Sequence, residues 1–185
     1  MPSSQSPGQP RLQVLFVCTA NISRSPYLEL VARARAGDHG PAFSSAGVFA
    51  RDDTLIDPAM AVELTGRGIV SEQFRSRRLT GAMVDAADLV LTAEAAHRAA
   101  ILDEHPLATR KVLTVGQADR ALDRIGPDVT PADLPGALVA ARGGATPDLD
   151  IVDPYRRGPE AAQACALILD KVVERLVTRM VQHAS

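Results

Sequence analysis

Cys18 is followed by five residues and then by Arg24, in the run Cys18-Thr19-Ala20-Asn21-Ile22-Ser23-Arg24-Ser25. An apolar stretch from Leu12 to Val17 precedes it and reads as a buried strand, while Pro26 marks the first turn of a helix. A thiol at a strand end, a short loop, an arginine and a helix start together make a cradle for a phosphate against a nucleophile. The loop N–H groups converge on the anion, and the helix N-terminus adds partial positive charge. The same field favours thiolate over thiol at Cys18. Arg24 supplies a planar fork for two phosphoryl oxygens and offsets negative charge in the transition state, which a lysine point charge does less well. Ser25 stands where its hydroxyl can donate to the Cys18 sulfur and ease its departure. Asn21 tolerates left-handed dihedrals and can tie the loop together. Such a tie is needed because Ala20 stands where glycine would be the easier choice. A buried structural cysteine before an ordinary helix is the plain alternative, and it explains fewer of these features.

A cysteine nucleophile leaves a phenolate or alkoxide to be expelled. A carboxylic acid above the loop can protonate that oxygen, then take a proton from the water that cleaves the phosphocysteine. Asp153 is the candidate, because Pro154 holds the chain in an extended or turn geometry. An Asp-Pro turn that merely leads into the last helix is the alternative. Asp150 reads as a solvated or structural loop residue, and Tyr155 as either a wall of the cleft or a half-buried surface tyrosine.

At these residues the chain resembles the low-molecular-weight protein tyrosine phosphatases of bacterial type, whose signature is a hydrophobic strand, Cys, five residues and Arg-Ser-Pro. The resemblance continues through Ser44-Ser45-Ala46-Gly47, Asp57-Pro58, Gly66-Arg67-Gly68-Ile69 and Ser76-Arg77-Arg78-Leu79-Thr80. It then takes in Ala87-Asp88-Leu89-Val90-Leu91-Thr92 and Asp150-Ile151-Val152-Asp153-Pro154-Tyr155, spanning about residues 11 to 115 and 148 to 181. It implies hydrolysis of phosphotyrosine in protein substrates through a phosphocysteine intermediate, without a cofactor or a metal. In that scheme Cys18, Arg24 and Asp153 are catalytic, and Thr19, Ala20, Asn21, Ile22, Ser23, Ser25 and Tyr155 bind the phosphate or substrate. Members that dephosphorylate arginine carry threonine immediately after the asparagine; Ile22 is the apolar residue typical of tyrosine-directed members. Phe49 and Arg51 are expected on the opposite wall of the cleft. Two positions depart from the pattern. Ser23 stands where many relatives carry a second cysteine that shelters the nucleophile as a disulfide, so Cys18 is expected to be more prone to irreversible oxidation under peroxide. Phe74 stands where a histidine commonly joins the loop's hydrogen bonds, so Asn21 must be held by Ser45 or by water.

The elements around these residues alternate. Strand-like runs fall near 12–17, 42–47, 87–92 and 111–115, with helical patterns near 26–36, 57–67 and 94–103. Alternation predicts an α/β three-layer sandwich: a parallel sheet covered by helices on both faces, joined by right-handed crossovers. The resemblance supplies the count of four strands and places the ligand at their carboxyl ends. Ala161, Cys165, Ile168, Val172, Leu176 and Met180 recur at helical spacing and predict the buried stripe of a long C-terminal helix, with Cys165 a core thiol. Residues 116–147 make a longer connection than the resemblance accounts for, rich in Ala, Asp, Gly and Pro. Ala118–Ile125 and Pro131–Arg142 each suit a short helix, capped at Thr130 or Asp128, and the whole serves as a lid, a partner surface or an inconsequential insertion.

The chain has 185 residues, 46% of them apolar, which suits one domain over 11–183 after a disordered tail at 1–10. A net charge of −2 gives no general attraction to nucleic acid or anionic membranes. No apolar run is long enough for a transmembrane helix, and the first ten residues do not resemble a signal sequence. Two distant cysteines suit a reducing compartment, so a cytoplasmic monomer is expected, with phosphate or another oxyanion in the loop. Eighteen of the twenty basic residues are arginine, which fits a GC-rich bacterial genome. His39, His97, His105 and His183 lack ligand spacing. Arg75, Arg77 and Arg78 read as a solvated helix start or a recruiting site for acidic peptide. An arsenate reductase on the same scaffold would need two more cysteines after the third helix, and Thr80 to Arg110 has none. A phosphoryl-binding regulatory module with little turnover is the remaining rival.

Overall fold

The computed structural model describes residues 11–181, so the expected tail at 1–10, the end of the expected domain and His183 lie outside the described residues. Four parallel strands lie in the order β2-β1-β3-β4: β1 (Gln13–Cys18), β2 (Ala42–Gly47), β3 (Leu89–Thr92) and β4 (Val112–Thr114). Helix α1 (Arg24–Ala36) connects β1 to β2, and α2 (Pro58–Gly66) and α3 (Gly81–Ala86) lie between β2 and β3. Helix α4 (Ala95–Glu104) leads from β3 towards β4, and α5 (Val115–Leu122), α6 (Leu134–Ala141) and α7 (Pro159–Val181) complete the order. Among the described residues no helix is long and apolar enough to cross a membrane.

Strand alternation divides the core. Val14, Phe16 and Cys18 point into the layer of α1, α2, α5, α6 and α7, where they join Leu28, Val31, Met60, Leu138, Leu169 and Val173. Leu15 and Val17 point the other way, against Val84 of α3 and Ile101 of α4. Both faces are therefore apolar, which is why β1 reads as an uninterrupted hydrophobic run. Burying each large aliphatic side chain of this kind contributes about 1.5–3 kcal/mol. One polar knot ties three helices on the Cys18 face. Tyr27 of α1 donates to Asp170 of α7 at 2.8 Å, and Arg67, just past α2, holds Asp170 at 2.6 Å and Glu63 at 2.9 Å.

Two expectations need correction. The buried stripe of α7 runs through Ala162, Cys165, Ala166, Leu169, Val172, Val173, Leu176, Val177 and Met180; Ile168 is 47% exposed and Ala161 only half-buried. The stripe widens to two residues at 165–166, 172–173 and 176–177, so a single-file reading slipped onto its edge. In the long connection α5 starts at Val115 rather than Ala118. The Thr114 hydroxyl accepts from Gln117 N at 3.0 Å while the Gln117 side chain accepts from Thr114 N at 2.9 Å, a reciprocal cap that sets the start. Helix α6 is preceded by a Thr130–Asp133 turn and buries Leu134 and Leu138 in the core. Arg175 of α7 pairs with Asp119 and Asp123, and Arg179 donates to the Gly126 carbonyl, so the connection is fastened to α7.

Candidate active site

Register places the site. Cys18 ends β1 beside Gly47 of β2, and β3 delivers Ala93 and Glu94 to the same edge. Residues 18–23 then turn back into α1, with Asn21 at φ 53°, the left-handed conformation anticipated for it. Carbonyls of this loop face outward: Cys18 O accepts from Val48 N at 3.0 Å, Thr19 O from Phe49 N at 2.8 Å and Ile22 O from Asp57 N at 2.8 Å. The N–H groups of residues 19–23 make no hydrogen bond among the described residues. Outward carbonyls and uncommitted amides at a helix N-terminus form an anion nest.

The Cys18 sulfur is buried and lies 3.0 Å from the Ser25 hydroxyl. Donor accounting orients this contact. Asn21 Nδ2 donates to Ser25 Oγ at 2.9 Å and to Ser45 Oγ at 2.8 Å, and the Ser45 hydroxyl donates to Glu29 at 2.5 Å. Ser25 Oγ thus accepts from Asn21, and its own proton is available to Cys18 Sγ or to Ala46 O at 3.3 Å. An ionised sulfur would take it, since charge-assisted bonds are about twice as strong as neutral ones. Phe74 packs at the edge of the core, and the Asn21 carbonyl accepts instead from Arg77 N at 2.9 Å. Glu29 is buried. Burial pushes its carboxyl above the usual range, while the Ser45 hydroxyl and the Arg33 and Arg77 guanidiniums oppose that rise.

Arg24 is 1% exposed and its fork faces the acid loop, residues 150–155, which carries the candidate acid Asp153. Nη1 donates to Ile151 O at 2.7 Å and to the Glu94 carboxylate; Nη2 donates to Asp153 Oδ2 at 2.8 Å and approaches Thr19 Oγ1 at 3.4 Å. Nε is buried without a partner, as is the Ser23 hydroxyl. An uncommitted guanidinium N–H beside a ring of free amides is a donor set for an oxyanion. Three contacts pin the acid loop. Ile151 N donates to Ala93 O at 2.9 Å, Asp150 accepts from Ala95 N at 2.7 Å at the start of α4, and Arg24 holds the Ile151 carbonyl. Asp150 is accordingly structural. Asp153 accepts from Tyr155 N at 3.1 Å, closing the turn that Pro154 begins.

Tyr155 is 40% exposed, with the Arg156 guanidinium 5.1 Å above its ring. Phe49 and Val152 are also exposed. The basic cluster at 75–78 is not a helix start: Arg78 bridges Gly47 in an extended segment, and Arg77 donates to Ser45 O at 2.7 Å. The structure thus brings Cys18, Thr19, Ala20, Asn21, Ile22, Ser23, Arg24, Ser25 and Asp153 together. Sequence reasoning missed Glu94, His97 and Glu29. Their one signal was position, with Glu94 just past β3, His97 one turn later, and Glu29 one turn into α1.

The family model described as low molecular weight phosphotyrosine protein phosphatase matches residues 13–130. The chain belongs to that family. This phosphatase is 30% identical over 158 residues to the low molecular weight protein-tyrosine-phosphatase of Streptomyces coelicolor, covering 83% of this chain and 84% of that one. It is 26% identical over 167 residues to the probable low molecular weight protein-tyrosine-phosphatase EpsP of Ralstonia nicotianae, covering 90% and 94%. Among solved structures, the YwlE arginine phosphatase of Geobacillus stearothermophilus superposes with a TM-score of 0.73 at 25% identity, covering 91% of this chain and 92% of the other. The phosphatase therefore shares its fold with enzymes named for two different phosphorylated side chains.

Proposed function

We propose that this phosphatase hydrolyses phosphotyrosine in proteins by double displacement at Cys18. The observation that carries the reading is the convergence of Cys18 Sγ, the Ser25 hydroxyl and a buried Arg24 fork that also holds Asp153. The phosphoryl group sits on the amides of residues 19–23 with Arg24 Nε and Nη2 on its oxygens, taking the donor that Asp153 otherwise uses. The sulfur attacks phosphorus, an S–P bond forms, and the P–O bond to the phenol breaks as Asp153 gives the leaving oxygen its proton. Water then surrenders a proton to the Asp153 carboxylate and attacks phosphorus. The S–P bond breaks, and Ser25 donates a hydrogen bond to the departing thiolate.

Substrate choice rests on the rim. Ile22 is half-buried in the loop, and Phe49, Val152 and Tyr155 expose apolar surface suited to an aromatic ring. The likeness to an arginine phosphatase supports phosphoarginine as a second candidate. The test is a panel of phosphotyrosine, phosphoserine and phosphoarginine peptides compared by kcat/KM. Phosphotyrosine is expected to lead by at least about tenfold, roughly 1.4 kcal/mol of transition-state discrimination. A lead for phosphoarginine would replace the substrate while leaving the chemistry at Cys18 in place.

A further inference from the structure

His97 is 5% exposed and takes part in none of the steps above. It lies three residues after Glu94, on the same side of the first turn of α4. Glu94 reaches Arg24, and His97 Nε2 lies 2.9 Å from the hydroxyl of Thr19, the residue after Cys18. The other ring nitrogen, Nδ1, is buried without a partner. An orphaned buried N–H is rarer and costlier than an orphaned acceptor, which assigns the ring proton to Nε2. His97 then donates to Thr19 Oγ1, and that oxygen also receives Arg24 Nη2 at 3.4 Å. Both lone pairs of the hydroxyl are committed, so its rotor is fixed. Burial pushes the ring below the usual histidine range and Arg24 adds to this, against Glu94, Asp150 and Asp153, which pull the other way. The ring is therefore a neutral donor at neutral pH.

We propose that His97 is a positioning residue: its Nε2–H fixes Thr19 Oγ1 and, through it, the Arg24 nitrogen that Asp153 shares with the incoming phosphoryl group. The inference rests on the phosphatase reading above. Its test is a set of four variants, His97→Leu, His97→Gln, Thr19→Val and the double His97→Leu/Thr19→Val. Each is read by kcat and KM for an aryl phosphate, by Kd for inorganic phosphate, and by Tm. His97→Leu is expected to lower kcat about three- to tenfold, the scale of one buried hydrogen bond, and to weaken phosphate binding. His97→Gln, whose amide N–H falls near the place of Nε2, restores activity to within about twofold of wild type. The double variant is no worse than the weaker single one, because both remove the same bond. Losses that multiply, a His97→Gln variant as impaired as His97→Leu, or wild-type kcat in His97→Leu would each overturn the proposal. Should the wild type hydrolyse no phosphoester, the catalytic reading is at fault, and the same cycle read on phosphate Kd still decides the role of His97.

Discussion

Gly47 lies directly against the backbone of Asn21. A β-carbon added at Gly47 would fall 2.7 Å from Asn21 N and 2.7 Å from Thr19 O, closer than any real contact permits. The end of β2 is thus a wall for the loop at 18–23, and only a residue without a side chain fits there. Gly47→Ala should displace the loop amides while leaving the sheet in place. We expect a loss of about tenfold or more in kcat/KM for an aryl phosphate, together with weaker phosphate binding.

Gly116 stands in the same relation to the acid loop. Its added β-carbon would meet Leu149 Cβ at 2.9 Å and the Leu149 carbonyl still closer, just before Asp150 and Asp153. Gly116→Ala should therefore misplace Asp153 and spare the amides. The expected signature is a fall in kcat with phosphate Kd within about twofold of wild type, unlike Gly47→Ala.

In the proposed mechanism Asp153→Asn removes the proton donor. For phenyl phosphate, a poor leaving group, kcat/KM should fall by about a hundredfold or more. For p-nitrophenyl phosphate, which leaves without much help, the loss should be several times smaller. Steady-state kinetics on the two esters, compared by kcat/KM so that the shared hydrolysis of the phosphocysteine does not enter, would measure the contrast, and equal losses in kcat/KM would remove Asp153 from the protonation step.

His97 links acidity to stability. Burial holds its folded-state value below the ordinary 6.5, so its contribution is present above that pH and is lost as pH falls through the folded-state value. Between pH 7.5 and 5 the Tm of the wild type should therefore drop further than that of His97→Gln. Thermal unfolding followed by circular dichroism in matched buffers would show the difference.

What the sequence disclosed was whatever is contiguous. The strand, the five-residue loop, Arg24 and Ser25 sit within one short stretch, and Asn21 announces its left-handed turn by its side chain alone. Asp153 was legible because Pro154 limits what the chain can do there. Glu94, His97 and Glu29 were not, since each is an ordinary helical residue until packing decides what it faces. Arg77 acts through its backbone N–H, which no side-chain pattern encodes. The slip in α7 came from a wide apolar face offering two neighbouring registers, at Ile168 and at Leu169. The start of α5 was readable: Thr114 followed three residues later by Gln117 is a capping signal in plain sight.

The central claim is that the phosphoryl group passes through the Cys18 sulfur. Acid quenching of the wild type during turnover of an aryl phosphate, followed by mass analysis of its peptides, tests this directly. The account predicts one phosphoryl group on the peptide carrying Cys18, lengthened in lifetime by Ser25→Ala and missing in Cys18→Ala, which should be inactive. A phosphoryl group on any other peptide, or turnover by Cys18→Ala at the wild-type rate, would contradict it.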